Sequence, residues 1–159
     1  MGACQNRTMA HLTSRQAYQD LVSRLNRFPQ GAPPSERLFQ SLEMLFSERE
    51  AELVAQRPIR PFNAQRAARI WRMPLAEAQK TRDELASRAV LVDIESDEGP
   101  SYVLPPPMAG FFEFSRMRVR NDIDQKLLAE LFYEYLNVEE EFIRALFTEG
   151  ETQLGRVFV

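Results

Sequence analysis

Cysteine and histidine are almost missing from this sequence, with one of each in 159 residues. A single cysteine, Cys4, excludes an internal disulfide framework and any thiolate metal cluster built by this chain alone. A single histidine, His11, excludes a His-rich metal site and leaves a Ser–His–Asp or Cys–His centre without support. Long apolar runs are also missing. None approaches the roughly 18 residues that a membrane-spanning helix requires. The N-terminal stretch MGACQNRTMAHLTSRQ has no hydrophobic segment of the kind a secretory signal carries. These absences predict a soluble cytoplasmic protein with no membrane partner. Proline is absent after Pro107, and this predicts an almost wholly helical remainder from Met108 onward.

What is present has a globular balance. Hydrophobic residues make up 44% and charged residues 27%, enough apolar surface for a core and too much for wholesale disorder. The net charge of −3 is unevenly spread. Residues 56–92 are basic, with Arg57, Arg60, Arg66, Arg69, Arg72, Lys80, Arg82 and Arg88 against Glu77, Asp83 and Glu84. The stretch that follows, 93–107, holds Asp93, Glu95, Asp97 and Glu98 and no base. All but Lys80 and Lys126 of the 20 basic residues are arginine, a bias that reads first as genome composition.

Apolar spacing and punctuation divide the chain. Tyr18, Leu21, Val22 and Leu25 recur at helical intervals, predicting a first helix from about Ser14 to Arg27. The connector FPQGAPP, Phe28 to Pro34, follows. Ser35 is placed to cap a helix carrying Leu38, Leu42, Leu45 and Phe46. Ser47 with Glu50 is a capping-box pattern that opens a shorter helix to about Gln56. Asn63 is placed to cap a helix with Ala64, Ala67, Ala68 and Trp71 on one face. Pro74 opens the next, with Leu75, Ala78, Leu85, Ala86 and Ala89 turned inward. Val90 to Ile94 and Ser101 to Leu104 read as a hairpin around the turn Asp97–Glu98–Gly99–Pro100. Trp71, Leu75, Leu85 and Leu91 are expected to be buried. Beyond the prolines, Met108 to Arg116 reads as a short helix. Asp122 is placed to cap a helix with Ile123, Leu127, Leu131 and Tyr135. Asn137 and Glu140 are placed to cap a last helix, ended by Gly150.

Helix, helix, helix and hairpin in that order is the winged helix-turn-helix pattern. The expected fold is therefore mainly α with a small β wing: residues 1–34 as tail, helix and connector, 35–107 as the winged-helix domain and 108–159 as a helical subdomain. The apolar end Leu154 to Val159 reads as the start of something longer. On this fold Arg66, Arg69, Arg72, Lys80, Arg82 and Arg88 are the candidate contacts to nucleic acid or to a partner protein. DNA is disfavoured, because an acidic wing would face phosphate. The acidic run Glu139–Glu140–Glu141 suits the positive end of a helix dipole better than a metal or acid/base site. The aromatic set Phe111, Phe112, Phe114, Phe132, Tyr133, Tyr135, Phe142 and Phe147 reads as core or as a partner-binding face. Cys4 reads as an inert tail residue. No nucleophile–base or metal constellation emerges, so this chain is not expected to be an enzyme by itself.

Several strings carry a resemblance: LNRFPQGAPPSE (Leu25 to Glu36), LFSEREAELVA (Leu45 to Ala55), DELASRAVLVDIE (Asp83 to Glu95), YVLPPPMAGFFEFSRMRVRNDIDQKLLAELFYEYLN (Tyr102 to Asn137) and FTEGETQLGRVFV (Phe147 to Val159). Together they resemble the N-terminal, cysteine-free region of a bacterial family of 4Fe–4S ferredoxin-type iron–sulfur proteins. The resemblance implies a parent protein, possessing 4Fe–4S clusters, that moves electrons and is an oxidoreductase component. The cluster-holding cysteines would lie beyond Val159, with no cofactor in this piece. The partner it implies is a redox protein or the parent's own cluster domain. A homodimer through the helical subdomain is a further expectation. The competing reading is a DNA-binding winged-helix regulator linked to redox sensing.

Overall fold

The structure is a computed structural model that describes residues 15–28, 31–57, 60–95 and 99–147. Residues 15–25 are helical (α1), and Ala17, Tyr18, Leu21, Val22 and Leu25 form its buried stripe. In α2 (Glu36–Leu45) the Ser35 side chain accepts from the Leu38 N–H, and Leu38, Leu42 and Leu45 are buried. The Ser47–Glu50 capping box is formed and opens α3 (Glu48–Ala55), which buries Ala51, Leu53 and Val54. Asn63 caps α4 (Ala64–Trp71) by accepting from the Arg66 N–H at 3.0 Å, and Ala67 and Trp71 face inward.

The turn between α4 and α5 (Leu75–Ser87) is tight. Arg72 ends α4 at φ +53°, the Met73 N–H returns to the Ala68 carbonyl at 3.1 Å, and Pro74 precedes α5. Ala89, at φ +56°, turns the chain out of α5 into β1 (Val92–Ile94). β1 pairs antiparallel with β2 (Ser101–Val103), with Val92 opposite Val103, Asp93 opposite Tyr102 and Ile94 opposite Ser101. Phe62 adds a single rung beyond β2, exchanging both backbone hydrogen bonds with Tyr102 at 2.9 Å.

After β2 the three prolines lead into a π-helical turn (Pro107–Phe111) in which the Phe111 N–H reaches the Pro106 carbonyl at 2.8 Å. Glycine suits Gly110, because a Cβ there would lie 3.0 Å from Pro105 Cβ, a tight contact that the prolines would have to accommodate. Then come α6 (Phe112–Met117), α7 (Gln125–Tyr133), a second π-helical turn (Glu134–Val138) and α8 (Glu140–Phe147). The described chain is mainly helical with one small two-stranded antiparallel sheet. No described helix is long and apolar enough to cross a membrane.

One apolar cluster runs from Ala17 to Phe142 and includes residues of α1, α2, α3, α4, α5, α7 and α8. It crosses the boundaries expected at residues 34 and 107. Phe46 stacks on Phe111, Phe111 meets Phe112 edge-on, and Phe112 contacts Phe132, Tyr135 and Phe142. Polar contacts tie the same parts together. The Tyr135 hydroxyl donates to the Pro33 carbonyl at 2.8 Å, and Arg37 on α2 pairs with Glu134 and Glu139.

Four local expectations are corrected. Leu75 is 47% exposed, unlike Trp71, Leu85 and Leu91. It is the first residue of α5, and a helical side chain leans toward the preceding turn, so Leu75 extends past the buried stripe of Ala78, Arg82 and Leu85. The cap of α7 is Asp124, which accepts from the Lys126 and Leu127 N–H groups; Asp122 is held by Arg120. Asn137 lies inside the second π-helical turn and donates to the Tyr133 carbonyl rather than capping α8. The segment after Pro107 begins as a π-helical turn and not as a plain α-helix. The expectations for Cys4, His11, Asp97, Glu98, Gly150 and Leu154 to Val159 lie outside the described residues, as does the Phe147 side chain.

Candidate functional site

α4 and α5 pack against each other and carry most of the basic residues singled out in the sequence. Their geometry sorts those residues into two groups. Arg66, Arg69 and Arg72 are exposed along α4 and the turn after it. Lys80 is exposed on α5, one turn before Glu84, with its ammonium 3.8 Å from that carboxylate. Arg82 is turned inward instead, and Arg88 partly so. Arg82 is 1% exposed. Arg88 is half-buried, paired with Glu50 of α3 and within 3.4 Å of the Leu45 carbonyl. The outer face of α5 therefore shows Glu77, Asp83 and Glu84 beside Lys80. Asp93 and Glu95 on the hairpin are exposed as well.

Behind this face is an arrangement that sequence reasoning missed. Arg57 follows α3, and its guanidinium lies over two rings, 3.6 Å from Trp71 and 4.0 Å from Phe62. Trp71 is held in place by its indole N–H, which donates to the Leu53 carbonyl at 2.7 Å. Arg82 lies over the Tyr102 ring at 4.1 Å. The Tyr102 hydroxyl donates to Asp83 Oδ1 at 2.7 Å. Phe62 and Tyr102 are the two residues of the extra sheet rung, so one backbone pairing brings both ring-covered arginines to the same corner of the core. Arg24 of α1 closes the corner, its Nε donating to the Arg57 carbonyl at 2.6 Å.

Burial dominates the electrostatics here. It pulls the Arg57 guanidinium down to about 9, with the positive charges of Arg82 and Arg66 adding to the effect. It lowers Arg82 as well, opposed by Tyr102 and Asp83. Arg24 falls to about 10, from burial and then from Arg27. The hydrogen bond to Asp83 raises the Tyr102 phenol, with burial next. A signal for Arg82 was in the sequence: it falls on the inward stripe Ala78–Arg82–Leu85 of α5. Arg57 lies beyond the end of a helix, where periodicity says nothing.

Two surface grooves flank α1. One, of about 430 Å³, is lined by Asp20, Ser23, Arg27, Glu52, Ala55 and Gln56. The other, of about 690 Å³, includes Gln16, Asn26, Pro34 and Phe39 in its lining. Neither brings a nucleophile to a base. Among the described residues no three His, Cys, Asp or Glu side chains converge as metal ligands. An iron–sulfur cluster does not fit this chain, since a cluster takes about four thiolates and the sequence has one cysteine. Comparison with protein-family models, with curated proteins and with solved structures yields no match.

Proposed function

We propose that this chain is a non-catalytic docking adaptor. Its scaffold is a winged helix-turn-helix made of α3, the Phe62 rung, α4, α5 and the β1–β2 hairpin, followed by a helical subdomain. Support for that scaffold is the element order, the three-residue α4–α5 turn and the Phe62–Tyr102 pairing, which extends the hairpin by one rung. The parent it serves is a 4Fe–4S ferredoxin-type electron-transfer protein, a reading that rests on the sequence resemblance. Its partner is then a redox protein or the parent's cluster domain, met in the cytoplasm.

The observation that carries the docking reading is the outer face of α5. In a DNA-binding winged helix this face would meet phosphate. Here it bears Glu77, Asp83 and Glu84, while Arg82 points inward and Lys80 is beside Glu84. Acid on that face opposes the counterion release that drives duplex binding. A second reading, a DNA-binding regulator, is favoured by one feature, the exposed Arg66 and Arg69 of α4 with Arg72 in the turn after it.

Titration of labelled duplex separates the two. The adaptor predicts weak, salt-sensitive binding in the range of ~10⁻⁴–10⁻⁶ M with no preferred sequence, strengthened in a Glu77→Lys, Glu95→Lys double variant. Enrichment of one palindromic sequence from random duplexes, bound at ~10⁻⁸ M or tighter, would establish the regulator. Iron and acid-labile sulfide assays test the parent: the 159-residue chain is expected to be colourless, and the product of the whole reading frame to carry clusters.

A further inference from the structure

Among the described residues the buried charged side chains are all arginines: Arg24, Arg57 and Arg82, with no buried Asp or Glu. Two of them lack acceptors. Arg57 is 0% exposed, and its Nε, Nη1 and Nη2 have no hydrogen-bond partner. Arg82 leaves Nε and Nη1 without one. The nearest carboxylate to Arg82 is Asp83, at 3.9 Å from Nη2, beyond hydrogen-bond distance and already accepting from Tyr102. Rings cover the faces of these guanidiniums, but the donors of a guanidinium lie in its plane, at its edges. Cation–π contact offsets part of the charge and satisfies none of the N–H groups.

We propose that Arg57 and Arg82, walled by Phe62, Trp71 and Tyr102, form an interior site for one small inorganic oxyanion. Arginine does not resolve a buried charge by losing its proton near neutral pH, so a counter-charge must come from an acid or a bound anion. Among the described residues the only carboxylate within 4 Å of Arg82 is Asp83, half-exposed and 3.9 Å away, and the described core holds no buried acid to answer Arg57. The in-plane edge of a guanidinium matches two oxygens of one anion, which favours a phosphate-like oxyanion over a halide. Arg57 and Arg82, brought to one corner by the Phe62–Tyr102 rung, would share it. Burial first, and then the charge of Arg82, lower the Arg57 pKa, which accords with two cations in one corner. The site lies behind the docking face, with Asp83 bordering both, and it stands whether or not that reading holds.

Both guanidiniums are enclosed, so uptake accompanies folding or a local opening. The test therefore refolds the full chain from urea in inorganic phosphate or in sodium chloride at matched ionic strength. Thermal unfolding is followed by the fluorescence of Trp71, the one tryptophan of the chain. The expected result is a saturable rise in Tm with phosphate, lost in Arg57→Met and in Arg82→Met and retained in Arg66→Met, whose guanidinium is outside. Equilibrium dialysis of the native protein with labelled phosphate is expected to approach one ion per chain. This second measurement decides the matter should either methionine variant fail to fold. A Tm that follows ionic strength alone, an unchanged phosphate response in Arg82→Met, or dialysis with no retained phosphate would overturn the site.

Discussion

Tyr18 illustrates what one residue does here. Its ring lies on the buried stripe of α1, and its hydroxyl donates to the Phe46 carbonyl at 2.9 Å. Phe46 breaks the chain between α2 and α3, so that carbonyl has left its helix and needs a donor. Burial, then Glu43, Glu48 and Glu50, push the Tyr18 phenol up to about 12. A phenol raised in the folded state contributes stability fully below its unfolded value of 10.0, and that contribution is lost as pH rises toward 12. Tyr18→Phe is expected to cost about 1–3 kcal/mol at neutral pH, by leaving a buried acceptor unmet. The gap between wild type and variant should narrow between pH 10.0 and 12. Urea midpoints measured on both proteins across that range check the sign; a constant gap would mean that the hydroxyl is not buried as described. The inward direction of Tyr18 was legible from helical spacing. Its acceptor, 28 residues away, was not, because no local pattern encodes which loop carbonyl a helix will cover.

At the scale of elements, α5 shows how a helix is both bounded and anchored. Leu85 is fully buried on the stripe with Ala78 and Arg82, and Leu85→Ala is expected to cost about 2–5 kcal/mol. The far end of α5 holds Ala89 at φ +56°, a left-handed conformation that costs an L-residue roughly 1–2 kcal/mol. Ala89→Gly should therefore be neutral or stabilising, because the steric relief exceeds or matches the entropy that glycine adds to the unfolded chain. Ala86→Gly, three residues earlier in regular helix, should lose about 1 kcal/mol. Urea denaturation of the pair separates the two positions, and equal losses would refute the left-handed turn. The helix and the two strands of its hairpin could be read from spacing. The left-handed turns at Arg72 and Ala89 could not, since neither residue is one that marks such a conformation in sequence.

For the whole molecule, the aromatic chain from Phe46 through Phe111 and Phe112 to Phe132, Tyr135 and Phe142 joins the α2–α3 region to the C-terminal helices. Arg37 and Tyr135 bridge the same seam. Unfolding of the described chain is expected to be one cooperative transition. Phe112→Ala should destabilise by about 3–5 kcal/mol and shift Trp71 fluorescence and far-ultraviolet circular dichroism together, though Trp71 lies on α4. A Trp71 transition left in place while the helical signal falls would mean two independent units instead.

Apolar spacing and capping chemistry in the sequence were enough to determine the mainly helical class, the positions of α1 to α5, the hairpin and the burial of Trp71, Leu85 and Leu91. Those features depend on neighbours within one or two turns, whose effects a linear chain displays. The tertiary structure alone decided what each arginine meets. Arg66 and Arg82 look alike as letters. One stands on the open side of α4, and the other sits on the core stripe of α5 against the Tyr102 ring. It also decided that Arg57 lies over Phe62 and Trp71 with its donors unmet. That corner is made by residues from α1, α4, α5 and the sheet rung. Whether a charge there meets water or protein depends on packing between segments distant in sequence, which no local pattern records.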